Sequence, residues 1–193
     1  MIHVSNIKSR GSIEVICGSM FSGKTQELIR RLKLAMIAKQ KVQIFNSYLD
    51  TRYAKEHIVS HDRIMLKAIP VKTALEILKK VEEDTQVVGI DEAHFFDESI
   101  VSVADKLANK GKRVIIAGLD MDWKGRPFMQ VARLMAIAEY VTKNLAICVV
   151  CGNPAHYSQK ISNSAERIEV GSGDKYEARC RKCFNPDIVV LKK

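Results

Sequence analysis

Aromatic side chains are scarce in this chain, at 6% with a single Trp, which argues against a long base-stacking platform for single-stranded nucleic acid. Proline contributes four residues and glycine ten, with no collagen-like period and no low-complexity tract, so disorder and fibrous folds are poor readings. No repeat at a period of roughly 20 to 50 residues is visible. Long apolar runs are missing too: none approaches the roughly 18 residues that span a bilayer. Glu14 interrupts the only apolar stretch after Lys8 and Arg10, so no secretory leader is expected and the expected compartment is the cytoplasm. Five cysteines are few for a disulfide-stapled domain, and in a reducing compartment four of them suit a metal better. Acid is the scarcer charge, 22 residues against 31 basic ones, a net +9. That excess fits an anionic partner such as nucleotide, phosphate or nucleic acid, and equally a solvated basic surface.

What is present reads as alternating strands and helices. Residues 12–17 form a short strand running into a Gly-rich turn. A helix follows with Leu28, Ile29, Leu32, Ala35 and Met36 on one face. Further strands are expected at 42–45, 86–90 and 113–117, and helices opening at Thr73 (with Glu76 closing a capping box), near Asp97, and over 127–138. The strand at 86–90 shows little alternation, as when both faces are buried in a parallel sheet. Alternation of this kind argues for an α/β fold, a parallel sheet with helices on both faces, and the G-x-x-x-x-G-K-T run at 18–25 makes the expected class P-loop NTPase-like (RecA-like). After about Asn144 the pattern changes to turns, short β-like runs and four Cys. We divide the chain into a nucleotide-binding domain, 1–143, and a small C-terminal lobe, 144–193, too small to be held by a core alone.

Gly18-Ser19-Met20-Phe21-Ser22-Gly23-Lys24-Thr25 satisfies G-x-x-x-x-G-K-[ST] at every defined position, between a strand and a helix. There, backbone N–H groups and the helix N-terminus cradle phosphates, Lys24 reaches the β- and γ-phosphates, and the Thr25 hydroxyl meets Mg²⁺. Asp91 and Glu92 end the buried strand at the carboxyl edge of the sheet. Asp91 is placed as the Mg²⁺ acid and Glu92 as the base toward the attacking oxygen. Two solvated acids closing a strand are the plainer alternative. Asp91-Glu92-Ala93-His94 also spells the DEAH helicase signature, but such motors need a second RecA-like lobe, and we read the spelling as coincidence.

Cys148-x-x-Cys151 and Cys180-x-x-Cys183 present two thiolate pairs suited to one structural Zn²⁺. The stretch between them, 152–179, is long enough to be a functional loop. Cys17, in the first strand, reads as buried and inert.

Taken together and in order, G-S-M-F-S-G-K-T, Leu49-Asp50-Thr51-Arg52-Tyr53, Ser60-His61, G-I-D-E-A-H-F-F, Ala117-Gly118-Leu119-Asp120, Gly125-Arg126-Pro127-Phe128, the four cysteines, and Val170-Gly171 before Lys175-Tyr176 resemble the type II (cytosolic) thymidine kinase family. The resemblance implies transfer of the ATP γ-phosphate to the 5′-hydroxyl of thymidine or deoxyuridine, for salvage of DNA precursors. It implies Glu92 as catalytic base, Lys24 and Arg52 as charge stabilisers, and Asp50 and Thr51 beside the phosphates with the P-loop, Asp91, Ala93 and His94. It implies a lasso loop closing over the nucleoside, with Ser158 on it. Main-chain groups of Arg167, Ile168, Glu169, Val170 and Gly171 would meet the base edge, and Tyr176 would pack on the sugar. Met20, Phe95, Leu119, Trp123 and Phe128 then match the pocket walls. Trp123 stands where relatives commonly carry Phe, and His94 where they commonly carry Gln. A homotetramer, inhibition by thymidine triphosphate, and no role for a membrane or a nucleic-acid polymer are further implications. The rival readings are a nucleic-acid-stimulated P-loop ATPase with a zinc-knuckle lobe, and a kinase for another nucleoside.

Overall fold

Short runs, most of them Val- and Ile-rich and followed by a turn and a helix, build one parallel sheet. The computed structural model describes residues 11–49, 57–59, 65–161 and 175–187. In chain order these form β1 (Ser12–Gly18), α1 (Lys24–Ile37), β2 (Val42–Ser47), β3 (His57–Val59), β4 (Met65–Lys67), β5 (Ile69–Val71), α2 (Ala74–Lys80), β6 (Val87–Ile90) and a 3₁₀ turn (Ala93–Phe95). There follow α3 (Ser99–Asn109), β7 (Arg113–Leu119), α4 (Met129–Ile137), β8 (Tyr140–Asn144), β9 (Ala146–Ile147), β10 (Pro154–Ala155), β11 (Tyr157–Lys160) and β12 (Tyr176–Arg179).

The main sheet has the order β5-β2-β6-β7-β1-β8, and every neighbouring pair in it is parallel. One face carries α2, α3 and α4, whose Ile77, Ile100, Val103, Leu107, Val131 and Leu134 pack on Val15, Phe45, Val88 and Ile116. The other carries α1, whose Leu28, Ile29, Leu32 and Ala35 meet Ile16, Ile44 and Ile115 beside the β3–β4 ribbon. Gly89 lets α1 lie close to β6, since a Cβ there would stand 2.8 Å from a Leu32 methyl carbon.

Several expectations shift. Met36 is exposed, so the apolar stripe of α1 is narrower than its periodicity suggests. The expected capping box does not close: Glu76 accepts the Lys72 N–H rather than that of Thr73. Asp97 does satisfy the start of α3, accepting the Ser99 N–H at 2.8 Å. Residues 127 and 128 precede α4, because Phe128 is extended and fills the core. Strands β5 and β8, absent from the sequence reading, close the two edges of the sheet. Beyond β8 a separate small apolar cluster of Ala146, Cys148, Ala155, Ala178 and Cys180 forms between the β9–β10 and β11–β12 pairs.

Candidate active site

In a parallel sheet, functional loops gather where the strands end, and here the ends of β1, β6 and β7 carry the sequence-predicted residues. After β1 the chain turns sharply at Gly18 (φ 143°), where a Cβ would lie 2.3 Å from the Asn144 carbonyl oxygen. The loop closes at Gly23 (φ 77°), and α1 starts at Lys24. Lys24 Nζ donates to the Ser19 carbonyl at 2.7 Å, and Ser22 Oγ donates to the same oxygen at 2.9 Å. The loop thus curls around its own lysine, which is buried.

β7 separates β6 from β1, yet the acids still reach the cradle. Asp91 and Glu92 are both buried. Asp91 Oδ1 accepts the Glu92 N–H at 2.9 Å and lies 3.5 Å from the Thr25 hydroxyl. Glu92 itself is left-handed (φ 52°, ψ 45°), a conformation that costs a non-glycine residue about 1–3 kcal/mol and concentrates at functional sites. Its Oε2 stands 3.4 Å from His94 Nδ1, the atom that also accepts the Leu119 N–H at 3.3 Å. The His94 ring sits between Phe95 and Phe128, with centroids 4.3 and 5.2 Å away. Gln130 fixes this turn from α4 by donating to the carbonyls of His94 and Phe96. The Ala93 side chain is wholly buried in the core.

The structure therefore joins the P-loop, Asp91, Glu92, His94, Phe95, Leu119 and Phe128 at one edge. The C-terminal lobe reaches the same edge: Met20 N–H donates to Ser158 Oγ at 3.0 Å. Trp123 lies under two cations, Lys124 at 4.8 Å and Lys160 at 5.2 Å from its ring centre. Tyr176 pairs with Lys160 across β11–β12 and is buried. Asp50, Thr51, Arg52, Arg167, Ile168, Glu169, Val170 and Gly171 lie outside the described residues.

Sequence reasoning missed three supports of this edge. Asp120, buried at the end of β7, pairs with Lys143 of β8 at 2.8 Å. Burial pulls the Lys143 ammonium down, and the Asp120 carboxylate more than restores it, so its pKa is raised. Burial, with Asp120 nearby, pushes the Cys17 thiol up to about 11, so Cys17 stays protonated. Asp122 holds the turn after β7 by accepting the N–H groups of Lys124 and Arg126, both at 2.9 Å; an Asp two residues before Lys124 and three before Gly125 was the available signal. Lys160 is fully buried, and a lysine in a short strand gives no warning of that.

The four predicted metal residues converge. The Sγ atoms of Cys148, Cys151, Cys180 and Cys183 all lie within 4.8 Å of one another, with Cys151 3.6 Å from both Cys180 and Cys183. A tetrahedral thiolate site with Zn–S near 2.3 Å needs sulfurs roughly 3.8 Å apart. Each pair closes a tight turn, Gly152 N–H to the Cys148 carbonyl at 2.9 Å and Cys183 N–H to the Cys180 carbonyl at 3.1 Å. Burial pushes the Cys148 thiol up, but the N–H groups of Cys180, Val150 and Cys151 more than reverse this and bring it to about 6. Cys183, crowded by the sulfurs of Cys151 and Cys180, is pushed up to about 12. All four are free thiols, and the set can hold a zinc ion.

Known proteins resemble this chain in sequence along nearly its whole length. The family model for thymidine kinase matches residues 11–184. A thymidine kinase of Rhodothermus sp. is 54% identical over 178 residues, covering 92% of this chain and 83% of that protein. A thymidine kinase of Bdellovibrio bacteriovorus is 47% identical over 188 residues, covering 97% and 92%. Among solved structures, domain III of the Thermotoga maritima replication initiation protein DnaA has a TM-score of 0.41 at 15% identity over 70% of this chain and 55% of that one, too slight a likeness to bear on the fold. Relatives that share about half of all residues across nearly the full length leave one conclusion: the chain belongs to the thymidine kinase family.

Proposed function

We propose that the chain transfers the γ-phosphate of ATP to the 5′-hydroxyl of thymidine or deoxyuridine, giving the nucleoside monophosphate. The observation that carries the mechanism is the position of Glu92: buried, left-handed, and joined through Asp91 to the threonine that ends the phosphate cradle. The backbone N–H groups of the loop and the α1 N-terminus hold the phosphates. Lys24 leaves the Ser19 carbonyl for the β- and γ-oxygens and offsets the charge that develops there. Thr25 and Asp91 present oxygen donors of the kind Mg²⁺ takes, and with ATP that ion neutralises phosphate charge. Glu92 accepts the 5′-hydroxyl proton as the oxygen attacks phosphorus in line. Arg52, with Asp50 and Thr51, is assigned to stabilising the transferring phosphoryl group.

Met20, Phe95, Leu119, Trp123 and Phe128 are assigned to the base, Ser158 and Tyr176 to the nucleoside from the lobe, and the main chain of 167–171 to the base edge. Thymidine triphosphate carries both halves of the substrate pair, a thymine base and a triphosphate, which supports end-product inhibition at this site. Homotetramer formation is supported by apolar surface on α1 (Leu34, Ile37) and along the edge strand β8 (Tyr140, Val141). A division at 143/144 is supported by the second apolar cluster, which begins at Ala146, two residues past the end of β8 at Asn144. Among the described residues no helix is long and apolar enough to cross a membrane, and a cytoplasmic site of action suits four cysteines kept as thiols.

ADP release measured with thymidine, deoxyuridine, other nucleosides and single-stranded DNA or RNA tests this reading. Thymidine and deoxyuridine are expected to drive release. Release with polynucleotide alone would favour an ATPase motor.

A further inference from the structure

Phe21 is a bulky residue at φ 63° in the middle of the phosphate loop. A non-glycine residue keeps that conformation only where its surroundings over-determine it. Here the surroundings belong to the other end of the chain. The Phe21 side chain packs against the cluster of Ala146, Cys148, Ala155, Ala178 and Cys180, and two of those five are cysteines of the four-thiol set. Its neighbours are tied to the same lobe: Met20 N–H donates to Ser158 Oγ at 3.0 Å, and Ser19 Oγ donates to the Ala155 carbonyl at 3.5 Å. Ser19 in turn offers the carbonyl that Lys24 and Ser22 share. Three consecutive loop residues therefore rest on the lobe, and the lysine rests on one of them. The seat is built from three alanines and two thiols, too little apolar area to hold its shape unaided; a metal across the cysteines would hold it.

We propose that Phe21 is a positioning residue through which the four-cysteine lobe sets the shape of the phosphate cradle, so that metal in the lobe controls affinity for nucleotide phosphates. The inference rests on the reading of the loop as the ATP site, but the coupling itself is measurable without turnover.

Amide hydrogen exchange on the full chain, zinc-loaded and after chelation, reads the loop amides of residues 19–23 against sheet amides such as those of Ile16 and Val114. ATP binding to the same samples is measured by calorimetry. Zinc removal should speed exchange at 19–23 while the sheet amides stay protected, and should weaken ATP binding at least about tenfold. In the loaded protein Phe21→Gly should reproduce both effects, because it frees the strained backbone but removes the ring; Phe21→Leu, which keeps an apolar side chain in the seat, should recover most of them. Unchanged exchange and ATP affinity in loaded Phe21→Gly would overturn the proposal, and this arm stands even if chelation unfolds the whole chain. Should the loaded wild type bind no ATP, the functional reading fails, while the exchange arm still decides whether lobe and loop are coupled.

Discussion

The sheet and the C-terminal lobe hold themselves together by different means. The sheet buries two apolar layers, with Phe45, Ile77, Ile100 and Leu134 wholly removed from solvent in one and Leu28 and Leu32 in the other. The lobe has a cluster of three alanines and two cysteines and four converging thiols. Burial at about 25 cal/mol/Å² stabilises the first without help. The second depends on what its sulfurs hold. The sheet positions the chemistry, and the lobe rests on the phosphate loop.

Chelation should expose that difference most strongly. Structural Zn²⁺ in small domains is worth about 10–16 kcal/mol at neutral pH, so Cys148→Ser or chelator should melt the lobe, seen as rapid exchange of the β11–β12 amides, while the β1–β7 amides stay protected. Simultaneous loss of both would erase the contrast. Phe45→Ala strikes the other region and should lower global stability by about 3–5 kcal/mol in denaturant melts, with metal stoichiometry unchanged.

Lys24→Met acts where the regions meet, and should reduce turnover by about 10²–10³-fold, as expected on removing one charge stabiliser of the transferring group. A smaller effect belongs to α1. Hydrogen bonding from Arg30, against some burial and with Arg31 adding to it, lowers the Glu27 carboxyl to about 2 from 4.5. A depressed acid contributes stability above its unfolded pKa and loses it as pH falls through the folded one. Melts should therefore show Glu27→Gln costing stability at pH 7 and progressively less from about pH 4.5 toward 2. His94→Gln should be mildest: the amide keeps an acceptor for the Leu119 N–H, so kcat should fall by no more than about tenfold, the worth of one hydrogen bond.

The parts most legible in the sequence were those whose local chemistry matches their final role. A strand, a glycine turn and a helix with G-x-x-x-x-G-K-T can hardly be arranged otherwise, and four cysteines in two close pairs converge as their spacing suggests. What escaped depends on tertiary context. β8 has exposed Tyr140 and Val141 at a sheet edge, so its apolar residues give no clean period. Thr73 and Glu76 spell a capping box, but Glu76 turns to Lys72 instead. Lys160 is a lysine yet wholly buried, near the Trp123 ring. The Asp120–Lys143 pair joins residues that only the β7-β1-β8 order brings together.

The central claim is that Glu92 takes the proton of the attacking hydroxyl. Its most direct test is Glu92→Gln, with thymidine phosphorylation and ATP binding measured on the same preparation. The account predicts turnover lower by at least about 10²-fold with ATP affinity within a few-fold of wild type. Turnover equal to wild type would contradict it.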